Sequence, residues 1–187
     1  MIPSEKDLQK KKEMLDGFKK SLDQNGRSKE SDMIRMVRGA IRQSWMKSPT
    51  KLAYLYSKIE PDFNPDTRTK WQVRCECCGG MFKMSDIEID HKHGNHPLNT
   101  VEDFKNYFEK ILMVGYDDLQ ALCVECHEIK TLQERLDVSF EEAKAHKFAI
   151  SLQKKKDADK HWLIERGFVP AKKKEDRRTQ IVNAIVS

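Results

Sequence analysis

The chain lacks any apolar run near the roughly 18 residues that mark a membrane-spanning helix. Its first 25 positions are dense in Lys, Asp and Glu, where an export signal would carry an apolar stretch. Neither a membrane span nor a secretory leader is expected. Cysteine is sparse and odd in number, 5 in 187 residues, and two pairs have C-x-x-C spacing. That pattern argues against a disulfide framework and for metal binding in a reducing compartment, the cytoplasm. Internal repeats and low-complexity tracts are missing. Apolar residues make up only 38% against 35% charged, so any single core is modest. The length fits one domain, or one domain with appended segments.

The net charge of +5 conceals a partition. Residues 1–70 hold 16 Lys+Arg against 10 Asp+Glu, residues 71–133 hold 6 against 11, and residues 134–187 hold 13 against 9. An acidic middle between basic flanks suits a polyanion gripped from the sides while central carboxylates hold cations.

The flanks read as helical. Ser4 with Asp7 is a capping-box-like start, followed by a thin stripe of Leu8, Leu15, Phe18 and Leu22 that suits a loosely docked arm. A second helix from about Ser31 carries Met33, Val37, Ile41 and Trp45 on one face, with Arg35, Arg38 and Arg42 on the other. Arg38 and Arg42 are candidate phosphate contacts. A short helix through Leu52 to Ile59 precedes a linker, Pro61 to Thr67. Further on, Met81-Phe82-Lys83 and Ile87-Glu88-Ile89 read as a hairpin. An amphipathic helix capped by Thr100 follows, with Val101, Phe104, Phe108, Ile111 and Leu112 on one face. Helices are also predicted after Cys123, from about Phe140 to Leu152, around Trp162, and from Arg177 to Val186.

Cys75-x-x-Cys78 and Cys123-x-x-Cys126 each present two thiolates from one tight turn, and together complete a tetrahedral zinc site. Cys77 is left over; C-x-x-C geometry favours Cys75 with Cys78, though Cys77 stands ready to replace Cys78. A closed four-thiolate site has no position for substrate, so this zinc is structural. Between the knuckles lies Asp90-His91-Lys92-His93-Gly94-Asn95-His96. An Asp-His pair ending a strand points its side chains to opposite faces. One can hold a cation while the other addresses a water, and His127, after the last cysteine, can join Asp90 at the metal. Phosphodiester hydrolysis needs such parts: a base for water and a cation for charge developing on phosphate.

The run C-x-x-C, Ile89-Asp90-His91 and Leu119-Gln120-Ala121-Leu122-Cys123-Val124-Glu125-Cys126-His127 resembles the HNH nucleases, in their zinc-containing, treble-clef-like ββα-metal branch. Ile41 to Trp45 and Lys70 to Cys75 are similar to HNH proteins encoded by tailed phages. The resemblance implies His91 as general base, Asp90 and His127 as ligands of a catalytic Mg²⁺ or Mn²⁺, and DNA as substrate. Asp118 falls where the family carries Asn. An ionised Asp accepts but cannot donate, so it either orients His91 or has moved toward the cation. His93 and His96 read as solvated loop residues, with contact to phosphate or metal as the alternative. Arg74, Lys92 and Lys130 flank the site as candidate phosphate contacts. The tail resembles a SAP-like helix–extended-loop–helix module whose Lys172, Lys173 and Lys174 would lie on a DNA backbone.

The resulting expectation is an α+β chain. A basic helical arm and linker occupy 1–70, an HNH core 71–136, and a basic helical region 137–187. It would cut DNA, with RNA equally compatible on charge. The alternative is a zinc protein that binds nucleic acid, or serves a phage complex, without cutting.

Overall fold

The computed structural model describes residues 2–94 and 96–186 and mixes helices with two small antiparallel sheets. Asn95 of the loop after His91 lies outside the described residues. In chain order the elements are α1 (Glu5–Lys19), α2 (Glu30–Met46), α3 (Pro49–Ser57), β1 (Ile59–Pro61), β2 (Trp71–Arg74), β3 (Met81–Lys83), β4 (Ile87–His91), α4 (Phe104–Leu112), β5 (Leu119–Cys123), α5 (Val124–Leu136), α6 (Phe140–Gln153), α7 (Ala158–Ile164) and α8 (Lys174–Val186). Among the described residues no helix is long and apolar enough to cross a membrane.

The chain forms two compact units that cut across the three consecutive segments read from the sequence. One comprises Met1–Ala53 and His96–Asp118, the other Tyr54–Asn95 and Leu119–Ser187. The excursion from 96 to 118 leaves the strand region and returns to it.

In the first unit, α1 starts as predicted: Asp7 N–H donates to Ser4 Oγ (3.3 Å) and Ser4 N–H to Asp7 Oδ2 (2.9 Å). No residue of α1 is buried. Helix α2 packs on α4 through Ile41, Leu98 and Tyr107, joined by Ile34, Val37, Ile111 and Leu112. The predicted apolar face of α4 is corrected here. Tyr107 and Ile111, four residues apart, face α2, while Val101, Phe104 and Phe108 are exposed. Phe104 and Phe108 stack on each other instead, centroids 6.1 Å apart. Thr100 is not the cap; its amide and that of Asn99 donate to the Asp103 carboxylate (3.0 and 2.9 Å). Arg38 is not on a wet face either. It is half-buried and donates to the Leu98 carbonyl, with Nε enclosed and unpartnered. Arg42 is exposed as predicted.

The second unit holds both sheets. Strands β1, β2 and β3 form one, in that order, with Ile59 opposite Val73 and Val73 opposite Phe82. The predicted linker Pro61–Thr67 is therefore the loop of a hairpin within this sheet. Asp62 ties it, accepting from Thr67 Oγ1 (2.6 Å), Thr69 Oγ1 (2.8 Å) and the Asn64 amide (2.9 Å). The predicted pairing of Met81–Lys83 with Ile87–Ile89 does not form. The first knuckle is itself the turn that returns β2 to β3, and a 3₁₀ turn at Met84–Asp86 redirects the chain. That frees β4 to pair with β5, from Ile87 opposite Cys123 to His91 opposite Leu119. Helix α5 follows β5 without a connecting residue.

Beyond α5 the packing is helical. Ile129 and Leu132 of α5 meet Ala143 of α6. Ala145 and Ala149 of α6 meet Leu163 of α7 and Ile181 and Val182 of α8. Alanines on α6 let its neighbours approach closely, so a core short of large side chains can still exclude water.

Candidate metal centre and active site

Backbone hydrogen bonds build each knuckle. At the first, Cys75 N–H donates to Gly80 O (2.8 Å) and Gly79 N–H to Cys75 O (2.9 Å). Gly79 has φ +74°, a region where glycine costs least. Arg74, exposed, donates from Nη1 to the Gly79 carbonyl (3.2 Å), so its guanidinium braces the knuckle. At the second, Cys123 is the N-cap of α5, its Sγ accepting from Cys126 N–H (3.5 Å). Cys123 N–H reaches across to Cys75 Sγ (3.3 Å), and Glu76 N–H to Ala121 O (2.8 Å). These last two bonds lock the knuckles together.

The result is convergence of Cys75, Cys78, Cys123 and Cys126, with all four sulfur atoms within 4.8 Å of one another. Zn–S bonds of about 2.3 Å in a tetrahedron need edges near 3.8 Å, so the cluster can hold a zinc-like ion with little movement. Cys77 remains exposed outside it. The thiols are electrostatically unequal. Burial raises the Cys75 pKa, but amide hydrogen bonds from Cys78, Cys123 and Cys77 outweigh it and bring it to about 7. Burial and neighbouring sulfurs push Cys126 far up. Four such groups cannot all ionise unless a cation joins them.

A polar brace that the sequence did not reveal supports the first knuckle. Buried Tyr54 shares its hydroxyl between Glu76 Oε1 (2.8 Å) and the Leu119 carbonyl (3.1 Å). Lys58 pairs with the same Glu76 oxygen (2.9 Å) and lies over the Tyr54 ring, 4.9 Å from its centroid. Burial, then the Glu76 carboxylate, raises the Tyr54 pKa, so the phenol stays protonated. The available signal was an acidic residue inside the first C-x-x-C.

Strand β4 carries Asp90 and His91 at its end with alternating burial. His91, 7% exposed, shares the inward face with Ile87 and Ile89; Asp90 takes the other face with Glu88, as strand alternation requires. Gln120 Nε2 donates to the His91 carbonyl (3.2 Å), fixing the strand end. Asp90 Oδ2 meets Lys130 Nζ of α5 at 2.9 Å, and Lys130 also pairs with Glu134 one turn on. Burial lowers the Lys130 pKa, but the two carboxylates outweigh it and raise it overall. His127 is half-buried, three residues before Lys130 and so on a neighbouring part of the same helical face.

Among the described residues, the four cysteines are the one group of three or more metal-ligating side chains that converges. Asp90, His91 and His127 do not form a second. Asp118 lies exposed on the 3₁₀ turn Tyr116–Asp118 and accepts from the Gly115 amide (2.9 Å), closing its own turn. His93 and Lys92 are exposed, and His96 is half-buried.

The tail connection is anchored from behind. Arg177, buried, pairs with Asp159 (2.8 Å) and donates to the carbonyls of Ala171 (3.0 Å) and Lys172 (2.8 Å). Gln180 accepts from Ala171 N–H and donates to Val169 O, both at 2.9 Å. Lys172, Lys173 and Lys174 are left exposed. Comparison with protein families, curated proteins and solved structures gives no match.

Proposed function

We propose that the chain is a metal-dependent HNH-type endonuclease acting on DNA, with a structural zinc on its four cysteines. The observation that carries the reading is the Asp90–His91 pair at the end of a strand whose partner, β5, runs straight into the helix bearing His127. The same helix starts in the cysteine cluster and contacts Asp90 through Lys130. A ββα-metal core would need that order of parts.

His91 would take a proton from water as the oxygen attacks phosphorus. The P–O3′ bond breaks in line, and the leaving oxygen takes up a proton, giving 5′-phosphate and 3′-hydroxyl ends. A divalent cation, Mg²⁺ or Mn²⁺, held by Asp90 and His127 would offset charge building on phosphate; carboxylate and imidazole donors suit such ions when water completes the shell. The exposed lysines at 172–174 would hold the phosphate backbone, and Arg42, exposed on α2, is a further candidate contact. Reduced thiols at the zinc suit the cytoplasm.

A second reading, a zinc module that binds nucleic acid without cutting, draws on the burial of His91 beside Ile87 and Ile89 and the Lys130 ion pair on Asp90. Incubating zinc-loaded protein with supercoiled plasmid in Mg²⁺, Mn²⁺ or EDTA separates the two. Nicked or linear product with either ion and none in EDTA supports cleavage. Gel retardation without product supports binding alone.

A further inference from the structure

The ion pair on Asp90 gives Lys130 a role other than gripping phosphate. Its side chain is only 12% exposed and sits between two carboxylates from different elements, Asp90 of β4 and Glu134 of α5. The seat for Glu134 is built into the loop after His91. A Cβ placed on Gly94 would lie 2.6 Å from Glu134 Cδ, so a side chain there would make the end of Glu134 shift from its present place. Gly94 has no left-handed φ to explain it; the space itself is what the glycine provides.

We infer that Lys130 is an internal counter-ion that competes with the divalent cation for Asp90, and that Glu134 is the acceptor that keeps Lys130 when Asp90 changes partner. This rests on the reading of Asp90 as a metal ligand. The ammonium holds Oδ2 of the Asp90 carboxylate, and its positive charge weakens the pull of that carboxylate on a cation at either oxygen. Because Lys130 already has a second partner within reach, releasing Asp90 does not strand a buried charge. Without Glu134, the ammonium would rest on Asp90 alone and hold it more tightly. Lys130 thus keeps the cation site weak in the free protein while Glu134 keeps its hold on Asp90 loose enough to be broken, so that added negative charge from a bound phosphate shifts the competition toward the metal.

The two substitutions have opposite expected signs. Lys130→Met should tighten Mn²⁺ binding about tenfold, because a partly screened like charge leaves the site. Glu134→Gln should weaken it several-fold. The test is Mn²⁺ binding by zinc-loaded protein without nucleic acid, read from the electron paramagnetic resonance of free Mn²⁺. Asp90→Asn marks the site, and Arg135→Gln removes one positive charge from the same helix without touching the pair. Lys130→Gln, with zinc content and unfolding midpoint measured alongside, covers the case in which Lys130→Met fails to fold.

Binding that requires Asp90, tightened by the Lys130 change and weakened by the Glu134 change, supports the inference. Asp90-dependent binding that Lys130→Met or Lys130→Gln leaves unchanged overturns it and leaves the nuclease reading standing. So does an equal tightening by Arg135→Gln, which would mean net charge rather than competition. No Asp90-dependent Mn²⁺ binding in any of these proteins overturns both the inference and the metal-ligand reading beneath it.

Discussion

The two ends of the β4–β5 pair carry different chemistry and were fixed by different forces. At the Ile87–Cys123 end the side chains that matter are held by backbone hydrogen bonds within tight turns, and four sulfurs converge. At the His91–Leu119 end, the same pair of strands presents Asp90 and His91 to opposite faces, and a tertiary ion pair with α5 decides what Asp90 touches. A site written into turns is set by short spacing along the chain. A site that depends on a neighbouring helix is set by whichever long side chain reaches it first.

The contrast breaks most severely at the sulfur end. Cys126→Ser should abolish stoichiometric zinc and with it the cooperative unfolding transition of the second unit, since a structural metal contributes directly to folding free energy. Metal analysis together with thermal unfolding checks this; a full zinc complement and an unchanged midpoint would contradict it. Protons should act in the same direction. Zinc needs thiolates, so lowering pH should release it progressively, and chelator competition across pH should show affinity falling as acidity rises.

A smaller effect is expected in the tail, where Asp159 is paired with Arg177. Burial raises the Asp159 pKa, but Arg177 outweighs it and holds it below the usual value of 3.8. A carboxyl with a depressed folded-state pKa contributes stability above its unfolded value and loses it as pH falls through the folded one. Asp159→Asn should therefore destabilise the protein at neutral pH, by about 3 kcal/mol if the buried guanidinium is left unpaired. The difference from the parent should begin to shrink below about pH 3.8, the unfolded value, and close as pH falls through the lower folded-state value, where the parent carboxyl protonates too. Unfolding midpoints at pH 7 and pH 3 provide the comparison.

Weaker still is the grip of the exposed lysines. Replacing Lys172, Lys173 and Lys174 with Gln should leave the fold intact and make the salt dependence of DNA binding shallower by about two to three units of log–log slope. An identical slope would place those lysines off the DNA. The smallest change belongs to Asp118→Asn. The amide oxygen of Asn accepts from Gly115 N–H as the carboxylate does, so stability should shift by less than about 0.5 kcal/mol.

These differences also show what could be read from residue order. The two C-x-x-C pairs, the Ser4–Asp7 cap, the helices and the α+β class were legible because each rests on spacing within one turn or one helical face. The partner of a strand was not. Met81–Lys83 lies closer in sequence to Ile87–Ile89, yet β3 returns along β2 because Gly79 lets the knuckle act as the hairpin turn. Ile59 reads as the end of a helix and Pro61 as the start of a linker, but the helix ends at Ser57 and Ile59–Pro61 is a strand, because its pairing with Trp71–Val73 spans a loop held by Asp62 rather than by a glycine turn. At the other end of the strand pair, the proposed site residues Asp90, His91 and His127 stood out by type, but Glu134 did not. Its role depends on Lys130 four residues earlier and on the empty space at Gly94, which are brought together only by the packing of α5 on β4.

The most direct measurement is single-turnover cleavage of supercoiled plasmid in Mn²⁺ by parent protein and His91→Ala, matched for zinc content and DNA affinity. With His91 as the base, cleavage by the variant falls by about two to four orders of magnitude while zinc and DNA binding stay as they were. Equal rates in the two proteins would contradict the assignment of His91, and with it the account of how this strand end does chemistry.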